Sequence, residues 1–275
     1  MPTVSLTMIV RDEERNLPDC LASCAELFDE LVIIDTGSTD RTKAVAAAAR
    51  DRHGRPARVF DFAWCDDFAA ARNESLRRAT GDWIFWMDAD DRLDDANRGK
   101  LAELLASLDD RYQGYELGQV SMYPSGEVTL PFRQLRLFPR RPELTWFGRI
   151  HEGIRVGEEL PRIWTHIEIC HVGYRDPATL YAKSDRNLRL LEMQVAETPE
   201  HPIVLFHLAR EYFIAGRAAE GYQMLDRLDQ LGTDEARAMA DDVRKRVRSI
   251  GGAGASGQVQ VETLNGLPIG GTIIA

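Results

Sequence analysis

Short apolar runs alternate with helical patterns through the first third of the chain. The apolar runs predict strands at residues 3–10, 31–35, 57–62 and 83–87, and the segments between them predict helices at 17–28, 41–51 and 68–79. Strands that are buried on both faces of a parallel sheet read as continuous apolar runs, as these do. The alternation therefore predicts an α/β fold with a mostly parallel sheet flanked by helices.

The pattern changes after the fourth predicted strand and its helix. Residues from about 112 to 174 predict antiparallel strands, with a turn at YPSGE (123–127), and residues 176–250 predict helices. Within the helical region, residues 203–228 resemble one tetratricopeptide-type hairpin. Residues 251–275 begin with GGAGASG and are predicted to be a flexible linker and tail. The tail is interpreted as disordered, as an added strand or as a cloning-derived peptide, and its sequence leaves these alternatives open.

Composition excludes several classes of protein. A net charge of -10 disfavours nucleic acid and anionic membranes as partners. No apolar run approaches the roughly 20 residues that a membrane span needs, and the N-terminal MPTVSLTMIVRDEERN lacks the basic start of a signal peptide. The four cysteines are interpreted as reduced structural thiols. A cytoplasmic location is predicted.

Acidic clusters follow three of the predicted strands. RDEE comes after the first strand, DTGSTD after the second and DADD after the fourth. Ligands of such sheets bind at the carboxyl ends of the strands, where these clusters are expected to meet. Two carboxylates spaced like Asp88 and Asp90 suit Mn²⁺ or Mg²⁺ bound beside a diphosphate, because the metal neutralises the charge of a departing diphosphate. The alternative interpretation is a solvated turn that caps the helix starting near Asp94.

Four stretches in fixed order resemble the family 2 glycosyltransferases, which have a nucleotide-sugar-binding α/β fold. They are SLTMIVRDEERNL (5–17), ELVIIDTGSTDRT (30–42), FAAARNESLRRATGDWIFWMDADDRL (68–93) and RLFPRRPELTWFGRIHEGI (136–154). The short IHE segment and a later H-x-G-Y are most similar to lipopolysaccharide-core glucosyltransferases and to peptide S-glycosyltransferases. The resemblance implies a catalytic domain over residues 1–175 and a nucleotide sugar, most simply a UDP-sugar, as the donor.

The resemblance also implies which residues contact the nucleotide. They are Arg11, Glu13, Asp35, Arg72 and Asp88. The base would lie against Asp35 and the turn that carries Arg11 and Glu13, and Asp88 would approach the ribose or the metal. RDEE and DTGSTD depart from the commonest family pattern, which leaves the geometry at the base open.

Metal and base residues are implied in the same way. Asp88, Asp90 and His171 would hold the divalent cation, manganese or magnesium, and Glu152 would take the proton of the acceptor. His151 has the better unperturbed pKa for a base and stays an alternative. The plainer interpretations are that His171 is a satisfied core residue and that Glu152 pairs with an arginine.

Aromatic and basic residues near the IHE segment add two weaker expectations. Trp146 or Phe147 is predicted either to stack on a sugar or to anchor the loop. A positive cluster of four arginines is expected to be mostly solvated, with one of them available to a diphosphate: Arg136, Arg140, Arg141 and Arg149.

The sequence thus favours a metal-dependent inverting glycosyltransferase that transfers a sugar to a hydroxyl or thiol of a peptide or a cell-envelope glycan. An inactive nucleotide-sugar-binding or helical-repeat scaffold is the alternative, and nucleotidyl transfer to a sugar phosphate is a third hypothesis. The helical region is a candidate surface for a peptide or for a homodimer.

Overall fold

The computed structural model describes residues 2–108, 114–122, 131–155, 160–173 and 177–251, with four short strands of the tail. The chain divides into two compact units. The described part of the first comprises residues up to 122 and from 131 to 173, and the second begins at 177.

The first unit is built on a mixed eight-stranded sheet. Its strands stand in the order β3-β2-β1-β4-β7-β6-β10-β5, and β8 pairs with β9 in a separate antiparallel ribbon. The strands are β1 Val4–Val10, β2 Glu30–Asp35, β3 Arg58–Asp61, β4 Trp83–Trp86, β5 Asp91–Arg92, β6 Gly114–Ser121, β7 Phe132–Pro139, β8 Thr145–Phe147, β9 Gly153–Arg155 and β10 Arg162–His171. The helices are α1 Leu17–Cys24, extended by a 3₁₀ turn Ala25–Leu27, α2 Thr42–Ala48, α3 Phe68–Arg78 and α4 Asp95–Ala106.

The sheet is buried on both faces where its strands are parallel. Along β2, Leu31 and Ile33 belong to one apolar core and Val32 and Ile34 to the other. Residues of α1 and α4 complete the first core, and Ala69 of α3 belongs to the second. Since successive side chains of a strand point to opposite faces, two cores require the unbroken apolar runs from which these strands were predicted. The predicted mostly parallel α/β fold is confirmed.

One strand direction differs from the prediction. As expected, β7 runs antiparallel to its two neighbours, β4 and β6. In contrast, β10 pairs parallel with β6. The direction of β10 is therefore that of β4. Because parallel strands end at the same edge, the carboxyl end of β10 at His171 lies on the edge where β4 ends.

The second unit is helical, as predicted. Its helices are α5 Pro177–Glu197, α6 Pro202–Ile214, α7 Ala218–Gln230 and α8 Asp234–Gly251. Leu205 and Phe213 of α6 pack with Leu225 of α7 in a buried seam, and Gly221 lets the two helices approach closely. A Cβ at Gly221 would come within 2.8 Å of the Phe213 ring. Within the part of the chain that is described, no helix is long and apolar enough to cross a membrane.

The tail forms two short antiparallel ribbons. The strand β11 Gln258–Gln260 pairs with β14 Thr272–Ile274, and β12 Thr263–Leu264 pairs with β13 Leu267–Pro268. The functional assignments of the predicted domains and of this tail stay predictions.

Candidate active site

The loops after β1 and β2 are hydrogen-bonded to each other. Asp12, in a left-handed conformation at φ 52°, accepts from Thr39 N at 2.7 Å, and its own N donates to Ser38 at 3.0 Å. Glu13 N donates to Thr42 Oγ1 at 2.7 Å. Acidic residues that were predicted to meet a ligand thus also hold the two loops together.

Asp35 lies between these loops at the end of β2, with one carboxylate oxygen unsatisfied. Its Oδ1 accepts from Gly37 N at 3.0 Å and Ser38 N at 2.9 Å, and Gly37 supplies the positive φ of 107° that this turn needs. Among the described residues, nothing hydrogen-bonds its buried Oδ2. An unsatisfied buried acceptor costs about 1–3 kcal/mol, so this oxygen suits an N–H group of a ligand.

Arg11 and Glu13, the other two residues predicted to contact the nucleobase, interact with neighbouring residues of the loop after β1. The carboxylate of Glu13 accepts from Asn16 Nδ2 at 2.8 Å, and Arg11 lies 3.8 Å from Asp12 with half of its side chain exposed. Both belong to the same loop system as Asp35. Their contact with a base stays a prediction.

Arg72 joins two parts of the site that are far apart in sequence. Its Nη2 donates to Asp88 Oδ1 at 2.8 Å, and its Nε donates to Glu152 Oε1. The guanidinium lies 4.4 Å from the ring centre of Trp86 and 4.9 Å from that of Trp146. Burial alone would lower the pKa of Arg72, but the two carboxylates outweigh it and raise that pKa above its ordinary value. Arg72 is therefore a fixed cation between the two carboxylates.

The segment that carries Glu152 is attached to α3. Asn73 Nδ2 donates to Trp146 O at 2.9 Å, and Trp146 N donates to Asn73 Oδ1 at 2.8 Å. Phe68 N, in the first turn of α3, donates to Arg149 O at 2.9 Å. The adjacent residues Arg72 and Asn73 thus position Glu152 and the buried Trp146, while Phe147 is 37% exposed. His151 is exposed and has a left-handed φ of 51°.

Asn73→Asp is expected to loosen this segment. The variant loses the donor to Trp146 O and places a carboxylate against that carbonyl, so we expect the free energy of unfolding to fall by about 1–3 kcal/mol. Asn73→Ala removes both hydrogen bonds without adding charge and should lose less. Urea denaturation of the three proteins measures the differences, and equal stability of Asn73→Asp and wild type would contradict the role of Asn73.

The acidic turn after β4 is largely buried. Asp88 N donates to Asp91 Oδ2 at 3.1 Å, and the side chain of Asp88 is 31% exposed whereas Asp90 and Asp91 are buried. The cap of α4 is Asp94, which accepts from Asn97 N at 2.7 Å. The interpretation of Asp88, Asp90 and Asp91 as a solvated, helix-capping turn is wrong, because capping falls to Asp94 and burial excludes most solvent.

Asp91 forms a buried network with residues of β7 and β10. Its Oδ2 accepts from Arg136 Nη1 at 2.9 Å, and its Oδ1 lies 2.9 Å from His171 Nδ1. Burial alone would raise the pKa of Asp91, but Arg136 and His171 outweigh it and hold that pKa well below its usual range. Burial alone would lower the pKa of His171, but the carboxylates of Asp90 and Asp91 outweigh burial and raise that pKa.

Three of the four arginines predicted to form a cluster have separate surroundings. Arg136 is fully buried, and Arg140 donates to Gly81 O at 2.7 Å, at the end of β4 opposite to the acidic turn. Arg149 donates to Asp66 O at 3.1 Å before α3. Arg136 lies within β7, whereas Arg140 and Arg149 follow that strand and donate to backbone carbonyls in two other parts of the first unit.

The acidic turn and His171 could hold a divalent cation. Asp90, Asp91 and His171 each offer a ligand atom, and these atoms lie within 4.8 Å of one another. Carboxylate oxygens with one imidazole nitrogen are a ligand set that a cation such as Mn²⁺ accepts. The predicted set included Asp88, which instead contacts Arg72 directly, and did not include Asp91. The roles of Asp88, Asp90 and His171 as ligands stay predictions.

Residues 5–164 match the sequence profile of the family described as glycosyl transferase family 2, over more than half of the chain. The chain belongs to this family. Its resemblance to family 2 glycosyltransferases, predicted from four sequence stretches, is therefore confirmed.

Two curated relatives and one solved structure are similar to this chain. A TPR repeat-containing protein of Synechococcus elongatus is 37% identical over 212 residues, which cover 73% of this chain and 50% of that protein. The lipopolysaccharide core biosynthesis glycosyltransferase LpsC of Rhizobium meliloti is 38% identical over 158 residues, or 55% of this chain and 56% of LpsC. This chain thus spans about half the length of these relatives. The structure of S. aureus TarS 1–349 shares the fold, with a TM-score of 0.51, 12% identity and coverage of 99% of both chains.

Proposed function

We propose that this protein is a metal-dependent, inverting glycosyltransferase, and that it moves a sugar from a UDP-sugar to a hydroxyl or thiol of an acceptor. The observation that carries the proposal is the contact of Arg72 with both Asp88 and Glu152. It brings the acidic end of β4, the proposed donor side, next to the proposed base. The buried oxygen Asp35 Oδ2 could accept a hydrogen bond from a nucleobase that carries an N–H group, as uracil does, and this supports a uridine nucleotide as the donor.

The proposed chemistry is a single displacement. Glu152 accepts the acceptor's proton while the acceptor oxygen or sulfur bonds to the anomeric carbon, and the bond from that carbon to the diphosphate oxygen breaks. Asp90 and His171 are the proposed ligands of a divalent cation, which supplies neutralisation of the diphosphate when it is bound. Trp86 and Trp146 flank Arg72, whose side chain is only 7% exposed.

The acceptor is proposed only as a class. LpsC is a lipopolysaccharide core biosynthesis protein, which supports a cell-envelope glycan, and a peptide presented to the helical unit is the second choice. A homodimer through that unit and a cytoplasmic location complete the proposal.

Titration calorimetry tests the donor site. UDP, UDP-glucose, ADP and GDP are titrated into wild type, Asp90→Ala and Asp95→Ala, each with Mn²⁺ and with EDTA. We expect UDP and its sugar to bind more tightly with Mn²⁺ in wild type, and Asp90→Ala to lose the metal-dependent part. Asp95 is exposed in the first turn of α4, so its alanine variant serves as the matched control.

Other outcomes are equally informative. Binding of UDP that is the same in Mn²⁺ and EDTA would contradict metal dependence, and preference for ADP or GDP would contradict the proposed base. No binding of any nucleotide would favour an inactive scaffold.

A further inference from the structure

Arg136 is the largest fully buried side chain of the described residues. It lies in the middle of β7, between Leu135 and Leu137. Its Nη1 donates to Asp91 Oδ2 at 2.9 Å and to Trp86 O at 3.3 Å, its Nη2 donates to Gln119 Oε1 at 2.8 Å, and its guanidinium lies 3.7 Å from the ring centre of Trp86. Burying an arginine is costly unless its partners are held in good geometry. These contacts come from the two neighbouring strands, β4 and β6, and from the acidic turn.

Both carboxylate oxygens of Asp91 are used by the protein. Oδ2 accepts from Arg136 and from Asp88 N, and Oδ1 faces His171 Nδ1. An ionised carboxylate only accepts hydrogen bonds, so Nδ1 of His171 carries a proton and, in the neutral ring, Nε2 carries the lone pair. A histidine whose Nδ1–H is held by a carboxylate has a fixed ring orientation and tautomer, as metal-binding histidines commonly have. Asp91 thus holds His171 in place.

We propose that Arg136 is a positioning residue for cation binding: it fixes the carboxylate of Asp91, and through it the ring of His171, next to Asp90. The inference rests on the proposed metal dependence and adds residues that do not touch the cation. It also divides the acidic turn into two roles. Asp90, whose Oδ1 lies 3.4 Å from His171 Nδ1, and His171 are the proposed ligands, whereas Asp91 and Arg136 hold them in position without binding the cation.

Mn²⁺ binding without nucleotide tests the support. Free Mn²⁺ is measured by electron paramagnetic resonance for wild type, Arg136→Gln, Arg136→Lys, Asp91→Asn and the double variant Arg136→Gln/Asp91→Asn. Circular dichroism identifies a temperature at which each protein is folded. Arg133→Gln is the matched control, because Arg133 lies on the same strand and stacks on Trp164 at 4.6 Å, away from Asp91.

We expect Arg136→Gln to raise the Kd for Mn²⁺ about 10–100-fold, as loss of such supporting residues does at other metal sites. Arg136→Lys keeps the charge but not the planar fork, so it should lie between wild type and Arg136→Gln. Arg133→Gln should bind as wild type. In the Asp91→Asn background, Arg136→Gln should add no further loss, because Arg136 acts through Asp91.

Wild-type affinity in both Arg136 variants would overturn the inference and leave the proposed function standing. If Arg136→Gln lowers the Mn²⁺ affinity equally in wild type and in the Asp91→Asn background, Arg136 does not act through Asp91. Absence of Mn²⁺ binding in wild type, both alone and with UDP present, would overturn both the inference and metal dependence. If Arg136→Gln does not fold, the lysine variant decides in the same way, since unchanged Mn²⁺ affinity with a lowered melting temperature is what a purely structural role predicts.

Discussion

Glu152→Gln is expected to lower kcat by about 10²–10⁴-fold, the contribution typical of a general base. Glutamine keeps a side-chain oxygen that accepts from Arg72 Nε, so the segment between β8 and β9 should stay in place. It cannot take up the acceptor's proton. Because the donor side is unaltered, the affinity for UDP should stay close to that of wild type. Release of UDP from a UDP-sugar, with water as a surrogate acceptor, measures kcat before the natural acceptor is identified.

Glu143→Gln is the matched control for this experiment. Glu143 lies between β7 and β8 with 55% of its side chain exposed and only a 3.9 Å contact with Arg141. Its glutamine variant should have wild-type kcat. If Glu152→Gln also keeps wild-type kcat, Glu152 is not the base, and His151→Gln becomes the next variant to measure.

Asp91→Asn is expected to lower the free energy of unfolding at neutral pH by about 3–5 kcal/mol, the cost of breaking a buried ion pair by removing one partner. The change leaves the buried Arg136 without its counter-charge and removes the carboxylate that faces His171. Urea denaturation of wild type and Asp91→Asn measures the difference. Asp19→Asn is the control, because Asp19 is 78% exposed and its contact with Arg92 is 3.8 Å long; surface changes of this kind stay within about 0.5 kcal/mol.

The difference in the free energy of unfolding between wild type and Asp91→Asn should depend on pH in a defined direction. In the unfolded chain, Asp91 has an ordinary pKa of about 3.9, and in the folded protein its pKa lies well below the usual range. The stabilisation by Asp91 is therefore fully present above the unfolded pKa and is lost as the pH falls through the folded one. The part of the stability difference between wild type and Asp91→Asn that comes from the Asp91 carboxylate should shrink as the pH falls below about pH 4. A difference in the free energy of unfolding that grows as the pH falls below about pH 4 would contradict the buried ion pair.

Several site residues could be predicted because they end a strongly patterned element. Asp35 is the last residue of β2, Asp88 comes two residues after β4, and Arg72 lies in a helix with a clear start, so local periodicity indicated where they stand. Arg136 was expected to belong to a mostly solvated cluster, whereas its side chain is fully buried. The signal for Arg136 was its position between Leu135 and Leu137 in an apolar strand, where a charge is rare unless it has a partner.

The sequence by itself determined the α/β class, the order of β1, β2, β3 and β4, the helical second unit and the family, because these depend on local patterns and on motifs in a fixed order. Only the tertiary structure decided that β10 runs parallel to β6, that His171 faces Asp91 and that Arg72 joins Asp88 to Glu152. The partners in these contacts lie far apart in the chain. Periodicity reports which face of an element is buried, whereas strand pairing and side-chain packing determine which distant residue lies opposite.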